Sequence, residues 1–92
     1  MFSRRDNNVG IIFSGTYPND QGMTYEVSAG DNVILKIDNE SVLVRNVQIL
    51  RHGEFRGEIH GFEPSFSEEF EGYSIGQQVD FIEENIISCG KA

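Results

Sequence analysis

Ninety-two residues suffice for one small domain with a single core, and much of the bulk for that core comes from seven Phe and three Tyr, each able to bury roughly 150–250 Å². The net charge of −8 is lopsided: residues 54–92 carry nine of the fifteen carboxylates against only Arg56 and Lys91, a net of −7, and the first 53 residues carry −1. A field of that sign repels phosphate backbones, which argues against direct nucleic-acid binding and in favour of cationic partners.

The single cysteine, Cys89, excludes an internal disulfide and fits a reducing compartment, so the expected location is cytoplasmic. The basic start Met1-Phe2-Ser3-Arg4-Arg5 is followed only by Val9 to Phe13, interrupted by Gly10, which is too short for the core of a signal peptide. No run approaches the ~20 apolar residues of a membrane span, so no membrane association is expected. Cys89 lies four residues from the end, but Gly90 and Lys91 stand where a prenylation box needs aliphatic residues. Asn39-Glu40-Ser41 matches a glycosylation sequon and is read as a turn.

In chain order, the recurring pattern is alternation with a period of two, the mark of strands with one buried face. Val9, Ile11 and Phe13 predict an early strand, Gly15 to Gly22 with Pro18 an irregular stretch, and Tyr25 with Val27 a short strand. Val33, Leu35 and Ile37 interleave with polar residues and predict the next. From Ser41 to Arg51 the inward set changes phase, from Val42 and Val44 to Val47 and Ile49. A strand can do this only by inserting a residue, so a β-bulge or bend is predicted near Arg45-Asn46. Phe55 and Ile59 alternate with Arg56, Glu58 and His60. Asp38-Asn39 and His52-Gly53 tolerate left-handed backbone at the two joints, giving an antiparallel meander from about residue 32 to 62. Gly61 to Gly76 lacks sustained periodicity and predicts a long loop, with a single helical turn around Ser67 to Phe70 at most. Val79 and Phe81, alternating with Gln78 and Asp80, close the series.

The ending Tyr73-Ser74-Ile75-Gly76-Gln77-Gln78-Val79-Asp80-Phe81-Ile82-Glu83-Glu84-Asn85-Ile86, preceded by Phe55-Arg56-Gly57-Glu58-Ile59, resembles the closing part of small bacterial SH3-like barrels. The resemblance spans residues 30–88 and implies a glycine turn leading to a strand, then one helical turn, then a last short strand. Among the proteins it resembles are orphan products of bacterial mobile gene cassettes, and it carries over no catalytic residue. The expected fold is therefore mostly β: a single-domain, small antiparallel, partly open SH3-like barrel with a long loop or single helical turn at about 63–72. An α+β domain with a genuine helix over Glu63 to Glu71 is the alternative.

Chemistry is sparse. Glu58 and His60 share a strand face with His52 across the preceding turn, but Arg56 on that face opposes a cation, and a stripe of cross-strand polar pairs is the preferred reading, with no metal site. Cys89 has no local histidine and sits where chain ends fray. The pairs Glu68-Glu69 and Glu83-Glu84 point to different sides, and nothing frames a nucleophilic serine. No catalytic residue and no cofactor is expected.

The remaining candidate is the acidic-aromatic segment. Phe62, Phe66, Phe70 and Tyr73 recur at three- and four-residue spacing among Glu63, Glu68, Glu69 and Glu71. On a helical turn Phe66, Phe70 and Tyr73 would share one side. Such a stripe either plugs the barrel's open end or forms a groove attracting a basic protein segment or a small cationic ligand. The expected function is thus a non-enzymatic binding module. The alternatives are an acidic inhibitor or immunity-like protein that blocks a cationic enzyme site, and a structural homodimer joined through a sheet edge.

Overall fold

The computed structural model describes residues 2–6, 9–14 and 26–91. The predicted irregular stretch from Gly15 to Gly22 and the strand residue Tyr25 lie outside them. Among the described residues eight strands follow in chain order: β1 (Ile12–Ser14), β2 (Asn32–Ile37), β3 (Glu40–Arg51), β4 (Glu54–Glu63), β5 (Glu69–Phe70), β6 (Tyr73–Ser74), β7 (Gln78–Ile82) and β8 (Ser88–Gly90), with one 3-10 turn at Glu83–Asn85 between the last two. Six of them form one sheet in the order β1-β8-β2-β3-β4-β7, open at both ends, while β5 and β6 pair as a separate small hairpin.

Alternation in the sequence becomes alternation of burial. Val33, Leu35 and Ile37 of β2, Val42 and Val44 of β3, Phe55 and Ile59 of β4, and Val79 and Phe81 of β7 all enter the core. The predicted meander is present: β2 pairs antiparallel with β3, and β3 with β4. Its joints fall at Asp38, with φ 53°, and at Gly53, with φ 77°.

The predicted bend is also present. The β3–β4 register shifts between Arg45 and Gln48, Asn46 adopts φ 55°, and Val44 and Val47 are both buried although three residues apart. Gly57 lies across from this bend, where a β-carbon would collide with Val44. Only glycine lets the two strands approach so closely there. Ile49 corrects the prediction of an inward residue, being 52% exposed. Past the bulge, the last four residues of β3 run beyond the core edge and are all exposed.

A second phase change went unpredicted. Leu43 pairs with Gly61 but Val44 pairs with Ile59, so His60 is the extra residue of a bulge in β4, and Phe62 turns inward three residues after Ile59.

Three expectations about the ends of the chain are corrected. The early strand is shorter than predicted, with Val9 exposed outside it, and β1 runs parallel, not antiparallel, to β8. Cys89 does not fray: β8 pairs on one side with β1 and on the other with β2, so Cys89 sits between Phe13 and Val33 and is fully buried. The N-terminal residues form an ordered strap. Ser3 donates its N–H to Lys36 O, Arg5 donates to Glu84 O, and the Asn85 amide donates to Phe2 O and Ser3 O at 3.3 and 3.2 Å.

Candidate functional site

The segment from 63 to 76 contains no helical turn, which corrects that expectation and the alternative of a helix over 63–71. Helix requires consecutive right-handed residues. Here Phe66, Glu71 and Gly72 have φ of 54°, 51° and 85°. Local bonds hold the chain instead as a hairpin, with Glu69 paired to Ser74, Phe70 paired to Tyr73, and Ile75 N–H donating to Glu68 O. Its base is tied to the sheet by Glu40, only 6% exposed, whose carboxylate accepts from both the backbone N–H and the hydroxyl of Ser65.

The four aromatic candidates therefore part company. Phe62 belongs to the core, with its ring 6.1 Å from that of Phe70, which packs half-buried over it. Phe66 is 78% exposed, although its backbone N–H donates to Phe62 O at 3.0 Å. Tyr73 reaches the other way, stacking on Phe2 with ring centroids 5.1 Å apart. Glu63, Glu68, Glu69 and Glu71 are exposed, and none forms an ion pair among the described residues.

The Phe2–Tyr73 stack is the far wall of a groove along β7. One hollow, of about 720 Å³, is lined by Tyr73, Gln77, Gln78, Val79 and Asp80 together with Arg56. A second, of about 460 Å³, is lined by Phe2, Tyr73, Phe55 and Phe81, with Glu54 and Asp80 among its polar groups. Both include Phe2, Tyr73 and Asp80, so the two hollows adjoin beside β7. Asp80 lies directly across from Arg56 in register, and the guanidinium makes two bonds to its carboxylate, at 2.7 and 3.1 Å. That hydrogen bonding, aided by the positive charge, holds the Asp80 carboxyl below its usual range and keeps it anionic.

The polar stripe on β4 is present as cross-strand pairs: Arg56 with Asp80, and Glu58 with Arg45 at 3.1 Å. His60 lies exposed beyond them, its imidazole pKa lowered by partial loss of solvent and then by Arg45, while His52 lines a separate hollow with Phe13 and Phe55. Among the described residues no three His, Cys, Asp or Glu side chains converge as metal ligands.

The other charged cluster is internal. Lys91 Nζ donates to Asp31 Oδ2 at 2.6 Å, to Ser28 Oγ at 3.0 Å and to Glu26 O, so all three ammonium protons have partners. Asp31 Oδ2 also accepts from Ser28 N–H at 2.7 Å and from the Cys89 thiol at 3.4 Å. Burial first, and the adjoining carboxylate second, push that thiol up to about 12. A thiol in that environment is a poor nucleophile.

No family model, characterised protein or solved structure matches the chain. Among the groove residues that sequence reasoning missed are Phe2, Arg4, Glu54, Arg56, Asp80 and Asn85. Asp80 alone left a signal, as a charge on the outward face of a strand able to lie opposite Arg56.

Proposed function

We propose that this chain is a non-enzymatic binding module that takes up a cationic segment of another protein, or a small organic cation, in the groove beside β7. The observation that carries the reading is that Tyr73, stacked on Phe2, and the carboxylate of Asp80, held below its usual pKa range, line the same two hollows beside β7. A cation over such a ring gains from the ring quadrupole as well as from the carboxylate, at roughly 0.5–2 kcal/mol per contact depending on solvation. The exposed Glu63, Glu68, Glu69 and Glu71 then act at longer range, raising the encounter rate with positive partners without touching them. Phe66, just before the hairpin, offers further exposed apolar surface.

The SH3-like barrel reading belongs to this proposal. Its support is the strand order β8-β2-β3-β4-β7, the long bent β3, and the 3-10 turn leading from β7 into β8. No helix of the described residues is long and apolar enough to cross a membrane. The free, buried thiol of Cys89 supports a cytoplasmic setting, where thiols stay reduced. A cationic enzyme site blocked by the acidic half of the chain would use the same electrostatics.

Calorimetric titration tests the reading with a lysine-rich peptide and its glutamate-substituted counterpart at 50 and 300 mM salt. The basic peptide is expected to bind and to weaken with salt, and Tyr73→Ala to reduce its affinity by about three- to tenfold, the worth of one cation–aromatic contact. Equal affinity for both peptides would remove the reading.

A further inference from the structure

The groove has a property that side chains alone do not describe: one of its walls is an unpaired strand edge. In the β4–β7 ladder Phe55 lies opposite Phe81 and Gly57 opposite Val79, while Ile59 N–H bonds Gln77 O and Glu83 N–H bonds Gly53 O. Antiparallel ladders alternate, so the backbone groups of odd-numbered residues in β7 point toward β4, and those of Gln78, Asp80 and Ile82 point away from the sheet. Ile82 N–H is taken up by Asn85 Oδ1 at 2.9 Å. The N–H and C=O of Gln78 and Asp80, and the C=O of Ile82, face the groove, and no described strand pairs with them.

We propose that the partner binds by strand addition: an extended segment pairs with the free edge of β7 and presents alternating apolar and basic side chains. This rests on the cation-binding reading above and specifies its mode. The alternation follows from the two sides of β7. Val79 and Phe81 point coreward, toward the side that holds Phe2 and Tyr73, so partner residues opposite them turn toward the rings of Phe2, Phe55, Tyr73 and Phe81. Gln78 and Asp80 are exposed on the outer side, so the partner residue opposite Asp80 meets a carboxylate that it shares with Arg56. Backbone pairing supplies affinity, and the two rows of side chains supply selection. Charge argues for a basic partner over a second copy of this chain, because edge-to-edge pairing would bring together two molecules that each carry −8. Edges left open in this way are a hazard unless something covers or guards them.

The two rows also dictate which partner amides point at β7. Residues that exchange bonds with Gln78 and Asp80 are those opposite them, which are the basic positions, while the amides of the apolar positions point outward. Three acetylated, amidated peptides test this on the intact chain by calorimetry at 50 mM salt: Lys-Val-Lys-Val-Lys, the same peptide N-methylated at the lysines, and the same peptide N-methylated at the valines. Methylation at lysine is expected to weaken binding by about tenfold or more, since each lost backbone bond is worth up to about a factor of ten, whereas methylation at valine leaves affinity within about threefold. Gln78→Pro, which removes an outward donor but no bond to β4, is expected to weaken the parent peptide by a similar factor with an unchanged unfolding midpoint. Equal binding of all three peptides would overturn strand addition while leaving cation recognition standing. Failure of the parent peptide to bind at all would remove both. Sedimentation showing a dimer that Gln78→Pro dissociates would assign the edge to a second copy and overturn the proposal in favour of self-pairing.

Discussion

Two acid–base pairs mark opposite sides of this sheet, and they differ in almost every physical respect. At the β8 side, Lys91 and Asp31 meet at 2.6 Å with side chains only 8% and 2% exposed, and every ammonium proton is placed. At the β7 side, Arg56 and Asp80 meet at 2.7 Å with side chains 44% and 58% exposed. Similar distance does not mean similar consequence. The buried pair lost its hydration on folding, so each charge depends on the other, and removing one strands its partner in a poor solvent. The exposed pair is hydrated on both sides and screened by salt, so it adds little to stability and remains able to exchange partners. The first geometry suits a lock and the second suits a docking surface.

Lys91→Ala should produce the largest effect, because it leaves the Asp31 carboxylate buried without its cation. A loss of about 3–5 kcal/mol is expected in urea unfolding. Restoring neutrality with Asp31→Asn in the same chain should recover a substantial part of it. A loss no greater than that of a surface substitution would break the contrast between the two sides.

Asn85→Ala comes next. Its amide joins the end of β7 to the N-terminal strap through bonds to Ile82 N–H, Phe2 O and Ser3 O, and it is 8% exposed. Leaving those groups unsatisfied should cost about 1–3 kcal/mol. Because the strap carries Phe2, peptide binding should weaken along with stability, whereas Lys91→Ala measured well below its unfolding midpoint should leave binding intact.

Cys89 reports on the sealed side through pH. Its thiol is raised to about 12 in the fold against an ordinary value of 9.0, so the native state holds its proton where the unfolded chain has begun to release one. The sign follows: this contribution is fully present below pH 9 and is lost as pH rises toward 12. Alkylation at pH 8 should accordingly be slow in the native protein and fast in urea. Rapid native labelling would show that the β8 seam opens readily.

Arg56→Ala should have the smallest effect, with an unfolding midpoint close to that of the parent at moderate salt. Its influence should fall on recognition instead, because Asp80 is then free to pair with a basic ligand. Tighter binding of the lysine peptide would sharpen the contrast, and a large fall in stability would erase it.

How much of this was legible before folding depends on the range of the interaction. Alternating residues such as Val33, Leu35, Val79 and Phe81 announce a buried face because the strand period is local and invariant. The change of phase between Val44 and Val47 announced a bulge for the same reason. The equivalent change from Ile59 to Phe62 was obscured, since Phe62 also fitted an aromatic series running on to Tyr73. That series suggested a helical face. Backbone at Phe66, Glu71 and Gly72 takes left-handed values instead, and three- or four-residue spacing does not reveal that choice.

Composition and periodicity by themselves determined a mostly β chain with an acidic second half and a bent strand after Ser41, because charge and alternation are properties of neighbours in the sequence. The tertiary structure alone decided that Asp31 meets Lys91 from sixty residues away, that Phe2 stacks on Tyr73, and that β7 rather than β8 lies at an edge of the sheet among the described residues. Each of these requires distant segments to be brought together, and the free energy that selects them resides in burial and pairing across the sheet rather than in any local run of residues.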